Sequence, residues 1–285
     1  MSRLIVNADD FGLTAGVNRA IIELHRAGVL TSTTLMARAG ATDEAIELAR
    51  SAPSLGVGCH VVLVDGTPTL PPSEIPALIP KSTGSFHTAL APFLFRLFTG
   101  RIRAAEIEAE AAAQIAFLQS RGLTLTHIDT HKHTHMFPAV LRPVLRAARA
   151  AGICAVRNPF EPSWAVRATA GGSLARAAEV SVLRKLHAAC RRIIAEEGFV
   201  TTDGTIAVVG TGILNANTAR SLLRQLAPGT WELVTHPGYN DADLDKVRTR
   251  LRASRDIERD ALSIVKEFPN LELISYVRLF PTASP

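Results

Sequence analysis

The sequence predicts an α/β fold: a closed or nearly closed (β/α) barrel with seven or eight mostly parallel strands. Two observations lead there. Short β-rich runs alternate with longer Ala-, Leu-, Arg- and Glu-rich stretches along the chain, the pattern of βα units around a parallel sheet. Hydrophobic residues make up 47 % of the 285 and charged residues 20 %, enough apolar content for one large α/β core. Seven or eight strands in this order favour a closed or nearly closed barrel over a sandwich, with a doubly wound open sheet as the alternative.

The predicted strands cover 4–8, 31–36, 57–63, 125–130, 153–157, 205–209, 231–235 and 271–276, and helical stretches lie at 15–27, 43–51, 104–121, 137–151 and 243–268. Two regions break the rhythm. Residues 66–103 hold many prolines and then the basic-apolar run PFLFRLFTGRIR; long insertions of this kind are usually lids or binding loops. Residues 160–198 carry Pro162, Trp164 and the pair Gly171-Gly172, then a basic amphipathic helix through Leu183, Leu186, Cys190 and Ile194. Neither marks a clear boundary, so 1–285 reads as a single domain with two insertions.

Composition narrows the function classes. The first ten residues, MSRLIVNADD, reach two aspartates before a long apolar stretch develops, so no secretory signal is read. No run nears the ~18 apolar residues of a membrane span. Cys59, Cys154 and Cys190 are odd in number and widely spaced, giving neither a disulfide framework nor a cysteine zinc pattern. A cytoplasmic location follows as the expectation. The net charge of +5 admits an anionic partner, but the basic residues are mostly Arg within Ala-rich helices, without interleaved aromatics or a nucleic-acid signature. No nucleic-acid partner is therefore expected. The stretch 86–103 sets Phe93, Phe95, Phe98 and Ile102 beside Arg96, Arg101 and Arg103, which suits either an anionic membrane surface or a lid helix or oligomer contact.

Polar residues collect where predicted strands end. The first strand runs into NADDFG with Asn7, Asp9 and Asp10; the third carries His60 in GVGCHVVLV; the fourth opens into HIDTHKHTH; the seventh ends in THPG with His236. In a (β/α) barrel the carboxyl ends of the strands surround the active-site mouth, so four strands would deliver these groups to one place. Imidazole and carboxylate ligands suit Zn, Fe, Mn, Co or Ni, whereas a carboxylate-rich, watery site suits Mg. Two histidines and one carboxylate leave positions for water and substrate. Adjacent aspartates allow one to bind metal while the other accepts a proton.

Singly, each residue has a plainer explanation. Asp9 or Asp10 could cap the helix after Phe11-Gly12, His60 could be a hydrogen-bonded core histidine, the histidine run an exposed loop, and His236 a turn residue before Pro237-Gly238. Their occurrence together, with five His or Asp side chains in the nine residues from His127 to His135, favours metal chemistry.

In the order NADDFG, TSTTLM, GCH, HIDTHKHTHMFP and THPGY, these motifs resemble the YdjC-like carbohydrate deacetylases, over nearly the whole chain. The resemblance implies a TIM-like (β/α) barrel and hydrolysis of an N-acetyl group on a glucosamine unit with one divalent metal, Mg or Zn, with Mn, Co, Ni or Fe admissible. It implies metal ligation by Asp10, His60 and His131, with Asp9 as general base and His236 protonating the leaving amine or stabilising the oxyanion. Asp129 and His127 would support the ligands, although the spacing also lets His127 replace His131. The segment GFVTTDGTIAVVGTG and the basic-apolar insertions look closer to the hopanoid-biosynthesis-associated branch. That shifts the expected substrate toward an acetylglucosaminyl hopanoid at the inner face of a membrane, with a chitooligosaccharide as the alternative and a homodimer compatible. A metal-dependent phosphoesterase on the same kind of barrel, or a binding module without turnover, are the rival classes.

Overall fold

A computed structural model describes residues 2–80, 83–169, 171 and 174–280. Its strands are β1 (Ser2–Phe11), β2 (Ser32–Leu35), β3 (Gly56–Val61), β4 (Ile128–Thr130), β5 (Gly204–Ile206), β6 (Gly229–Thr235) and β7 (Glu272–Leu273). All their pairings are parallel, in the order β4-β3-β2-β1-β6-β5, with β7 against Arg3 and Leu4 of β1. The helices are α1 (Ala15–Arg26), α2 (Thr42–Arg50), α3 (Leu90–Phe98), α4 (Ala104–Ser120), α5 (Pro138–Ala150), α6 (Ser163–Ala168), α7 (Leu174–Leu183), α8 (His187–Glu196), α9 (Ala216–Arg224) and α10 (Arg255–Ala261).

The parallel α/β class stands, with seven parallel strands among the described residues, but two of the predicted strands are much reduced. Predicted strand 153–157 supplies only the isolated parallel bridges Ile128↔Val156 and Ala155↔Val200. Asn158-Pro159 follows at once, and proline lacks the N–H a ladder needs while restricting the residue before it. Predicted strand 205–209 stops at Ile206, where Ala207 turns to φ +71° and Glu161 accepts the Ala207 and Val209 N–H groups at 2.8 and 2.7 Å. The predicted helix 243–268 breaks into a turn at Leu244–Lys246, a turn at Arg252–Ser254, α10 and a further 3₁₀ stretch at Leu262–Glu267. Buried Leu244 and Arg255 hold its start and its middle inward, and Val247 between them is extended.

Period-two alternation explains how the strands serve two environments. Leu4, Val6 and Ala8 of β1 join the large apolar core with helix residues such as Val17 and Ile21, while Ile5 packs with Ala155, Ile274 and Tyr276. Trp231 and Leu233 of β6 likewise join the large core, leaving Glu232 and Val234 for the other face. Each fully buried Leu, Ile or Val contributes roughly 1.5–3 kcal/mol relative to exposure, which fixes strand register. Thr14, whose Oγ1 accepts the Val17 N–H at 3.2 Å, caps α1, so Asp9 and Asp10 do not.

Both insertions acquire helices. The first is pinned by two carboxylates of α4: Glu110 accepts the Thr69 and Leu70 N–H groups at 2.7 and 3.0 Å, and Glu106 that of Ala77 at 2.6 Å. Within it α3 buries Phe93 and Leu97 and exposes Phe95 and Phe98. In the second, the basic amphipathic helix expected through Leu183 and Ile194 is divided into α7, a 3₁₀ turn at Arg184–Leu186, and α8. No helix among the described residues is long and apolar enough to cross a membrane.

Candidate metal centre and active site

Adjacent residues of a regular strand point to opposite faces, so Asp9 and Asp10 could not both reach one site from an ideal β1. A register irregularity between Ala8 and Phe11 removes the conflict, with Asp10 at φ +65°. Bulges re-aim side chains in this way beside functional sites, and Asp tolerates the left-handed region better than most residues. Both carboxylates then face the same cavity of about 790 Å³ at the carboxyl ends of the strands.

Asp10, His60 and His131 converge there. His60 Nε2 lies 3.2 Å from His131 Nδ1 and 3.7 Å from Asp10 Oδ1, and His131 Nδ1 lies 3.4 Å from the same oxygen. Ligand atoms about 2.0–2.1 Å from a tetrahedral metal are separated by roughly 3.3 Å, so this triangle has the size a shared ion requires. Asp129 Oδ1, 2.7 Å from His60 Nδ1, accepts the proton there and leaves the Nε2 lone pair facing the triangle. Asp10 Oδ1 has no hydrogen-bond partner although it is buried. Once His60 Nε2 is free of its proton, three electron-rich atoms meet at one point, and the residues fit a divalent cation. His131, its side chain 19 % exposed, forms the open side of the triangle. Burial disfavours charge on His60, but Asp129, then Asp9 and Asp10, overcome it and push its pKa up to about 9.

The remaining histidines of the run go elsewhere. His127 is enclosed, stacked on Tyr276 with ring centroids 3.8 Å apart, and lies outside the clusters with metal-ligand spacing among the described residues. Lys132 and His133 both take left-handed φ, +56° and +51°, which turns the chain after His131. His133 lines the cavity. His135 is buried with its Nδ1 2.8 Å from Thr130 Oγ1. Lys132 Nζ donates to Asp65 at 2.7 Å, tying this turn to the start of the first insertion.

Asp9 sits beside the triangle in a charge network that sequence reasoning did not assign. Fully buried Arg157 donates to Asp9 Oδ2 at 2.9 Å and Oδ1 at 2.6 Å, to Glu232 Oε1 at 2.9 and 2.7 Å, and pairs with Asp129. Burial alone would raise the Asp9 pKa; Arg157, with His60 and His236, outweighs it and holds this carboxyl well below the usual range. Thr34 Oγ1 stands 3.2–3.3 Å from Asp9 Oδ1, His60 Nδ1 and Asp129 Oδ2, joining the pieces. Asp10 has its own guanidinium, that of fully buried Arg255, which donates to Oδ2 at 2.6 Å. Arg157 carried a readable signal, a charge ending an apolar run in ICAVR; Arg255 carried none.

His236 completes the arrangement at the mouth. Its Nε2 lies 3.9 Å from Asp9 Oδ2 and its Nδ1 3.8 Å from Glu258 Oε2, while its backbone N–H donates to the same Glu258 oxygen at 2.7 Å. Burial opposes its protonation, but Glu258, then Asp9 and Asp10, raise its pKa. The cavity thus joins a cation-binding triangle, an ionised carboxylate and an imidazole biased toward its protonated form. Such a set can activate water, accept its proton and protonate a leaving group.

Comparison with known proteins gives the following. A family model described as YdjC-like protein matches residues 3–266. A carbohydrate deacetylase of Thermoanaerobacter pseudethanolicus is 28 % identical over 263 residues, 92 % of this chain and 91 % of the relative. A carbohydrate deacetylase of Brevibacillus brevis is 42 % identical over 146 residues, 51 % of this chain, so the match spans only 55 % of that relative's length. A chitooligosaccharide deacetylase of Escherichia fergusonii is 41 % identical over 152 residues, 53 % of this chain and 57 % of the relative. Among solved structures, a protein of Enterococcus faecalis V583 described by name in terms of cellobiose-phosphate cleavage aligns with TM-score 0.76 and 26 % identity, over 98 % of this chain and 99 % of the other.

Proposed function

Because the chain belongs to the YdjC-like family, we propose that it is a metal-dependent carbohydrate N-deacetylase that hydrolyses the N-acetyl group of an N-acetylglucosamine unit. The observation that carries this is the convergence of Asp10 Oδ1, His60 Nε2 and His131 Nδ1 beside Asp9 and His236 in one cavity. The names of the carbohydrate deacetylase relatives agree with it. The parallel bridges from β4 through 155–156 to Val200 support the further reading of a closed, TIM-like barrel.

Asp10, His60 and His131 would hold the ion, which when bound supplies Lewis-acid polarisation of water and of the acyl oxygen. Asp9, kept ionised by Arg157, accepts a proton from the attacking water. A carboxylate held so acidic is a weak base, so its contribution comes from placement rather than basicity. Water oxygen bonds to the acyl carbon, the C–N bond breaks, and His236 gives its proton to the departing amine. Acetate and a free amino sugar leave.

For the substrate we carry the finer reading of an acetylglucosaminyl hopanoid. Leu90 and Leu94 of α3, Val180 and Leu183 of α7, and Leu251 line the cavity, which suits an apolar aglycone better than a long polar oligosaccharide. Phe95 and Phe98, 58 % and 68 % exposed, with Arg101 stacked 5.5 Å from the Phe95 ring centroid, would rest on an anionic leaflet. Acetate release is the direct test, from an N-acetylglucosaminide with a polycyclic apolar aglycone and from free chitobiose, with and without added divalent metal. Phosphate release from sugar phosphates without acetate release would favour the phosphoesterase instead. Salt-sensitive sedimentation with anionic liposomes, lost in Phe95→Ser/Phe98→Ser, is expected. No binding at low salt together with rapid turnover of chitobiose would move the substrate to soluble chitooligosaccharides.

A further inference from the structure

Beneath Asp9 and Arg157 the space among the strands is filled by the C-terminal segment. After β7, Ile274 packs with Ile5 and Ala155, and Tyr276 is wholly enclosed. The Tyr276 ring lies flat on His127, with planes 8° apart. Gly58 makes room for that stack, since a Cβ there would come within 2.5 Å of the His127 ring. The stack fixes where the phenol points: Tyr276 Oη donates to Glu232 Oε2 at 2.5 Å. Burial, and then the Glu232 carboxylate, raise the Tyr276 pKa well above its ordinary value, so the phenol keeps its proton and remains a donor.

Glu232 gives its other oxygen to Arg157. The Arg157 Nη2 that donates to Glu232 Oε1 at 2.7 Å is the same nitrogen that donates to Asp9 Oδ1 at 2.6 Å. Three carboxylates therefore share the five N–H donors of one planar guanidinium, and Asp9 and Glu232 share its Nη2. Its position relative to Asp9 depends on how much charge Glu232 presents. Tyr276 is the strong donor that withdraws charge from Glu232; Thr205 Oγ1, 3.4 Å from Oε2, is a weak second.

We propose that Tyr276 is a positioning residue for Asp9, acting through Glu232 and Arg157, so that the C-terminal segment sets the placement of the candidate base. Without the phenolic donor, Glu232 draws Arg157 toward itself and loosens its two-point grip on Asp9. The inference rests on the reading of Asp9 as the base. It also gives the buried Glu232, between the apolar Trp231 and Leu233 of β6, a function that packing does not require.

The test compares wild type, Tyr276→Phe, Glu232→Gln and the double variant for kcat, KM, metal content and Tm. Phenylalanine keeps the stack on His127 and removes only the donor. A displacement near 1 Å in a catalytic group costs up to about 10²-fold, so Tyr276→Phe should lower kcat about 10- to 100-fold, with KM within about twofold and metal content unchanged. In the Glu232→Gln background, where the competing charge is gone, the same change should cost less than about threefold, because the two residues act as one unit. In metal-free protein the Arg157 Nε–H resonance, identified by its loss in Arg157→Lys, should shift on Tyr276→Phe. A Tyr276→Phe protein with lowered Tm but kcat within twofold would reduce Tyr276 to packing, and independent multiplicative losses would overturn the relay. If Asp9→Asn retains full turnover, the base reading itself is wrong. If Asp9→Asn abolishes turnover while Tyr276→Phe does nothing, only this inference fails.

Discussion

Replacing Arg157 by methionine, which matches its length without its charge, tests the network around Asp9 directly. The guanidinium is fully buried and pairs with Asp9, Asp129 and Glu232, none of them exposed beyond 3 %. Removing one partner from a buried ion pair costs about 3–5 kcal/mol, because the surviving charge is left uncompensated in a poorly solvated place. At roughly 2–4 °C per kcal/mol for chains approaching this size, Tm should fall by about 6–20 °C. The loss should also depend on pH, with a definite sign. In the wild type the folded Asp9 pKa lies below its ordinary 3.8, so its contribution to stability is present above about pH 4 and lost as pH falls through the folded pKa. In Arg157→Met that contribution is absent, and burial, no longer opposed by Arg157, favours the protonated carboxyl. Thermal melts of metal-free wild type and variant should therefore show the widest Tm gap at neutral pH and a narrowing gap below pH 4. Arg157→Lys should recover part of the Tm but little turnover, since an ammonium restores charge and not the planar two-point contact. A gap of under about 2 °C at neutral pH, or one that stays constant from pH 8 down to pH 2, would refute the account of Arg157 as the neutralising centre.

Three further outcomes are expected. His131→Ala should lose most bound metal by elemental analysis while His135→Ala keeps it, and Asp129→Asn, which leaves His60 Nδ1 only a neutral amide acceptor, should weaken affinity about 10- to 100-fold; metal retained by His131→Ala would mean a different ligand set. Asp9→Asn should lose roughly 10²–10⁴-fold in kcat at near-normal metal content, and a variant that binds no metal would make Asp9 a ligand. Gly58→Ala, whose methyl group would meet the His127 ring, should destabilise by about 1–3 kcal/mol in a denaturant titration; a neutral result would show that the stack of His127 on Tyr276 can shift freely.

Much of this site was readable because one rule, a polar residue where a buried strand ends, applies wherever a strand feeds a polar mouth. It located Asp9, Asp10, His60, His131 and His236. Applied evenly, it would also have marked Arg157, which ends ICAVR, and a relaxed form would have marked Glu232 between Trp231 and Leu233. Long periodic helices were predicted within a residue or two: 15–27 against Ala15–Arg26, and 137–151 against Pro138–Ala150. Other features lay beyond local pattern. Nothing in NADDFG announces the irregularity that turns Asp9 and Asp10 to one side; it is settled by what each carboxylate meets across the sheet. Arg255 sits in RASRD, which reads as a solvated helical face, and only the return of 238–255 over the mouth buries it against Asp10. The last predicted strand, 271–276, keeps two residues of pairing because Tyr276 is drawn inward to Glu232.

The charge balance of the enclosed groups links the candidate metal site to Asp9 and His236. Asp9, Asp10, Asp129 and Glu232 are all buried, and the buried guanidinium groups that answer them are those of Arg157 and Arg255. Fully ionised, the four carboxylates exceed the two guanidiniums by two negative charges, and Glu258 with His236 forms a separate pair that alters this little. An excess of that size in a poorly solvated interior is costly unless a cation or protons offset it. One divalent ion at Asp10, His60 and His131 would make up the difference. In the metal-free protein part of the deficit falls on His60, which explains why it holds a proton up to about pH 9 despite complete burial. Loading the ion must therefore displace that proton, and apparent metal affinity should rise with pH through the neutral range until His60 is free of it. Isothermal titration in buffers of different ionisation enthalpy would count the released proton, and binding without proton release at pH 7 would separate His60 from the metal.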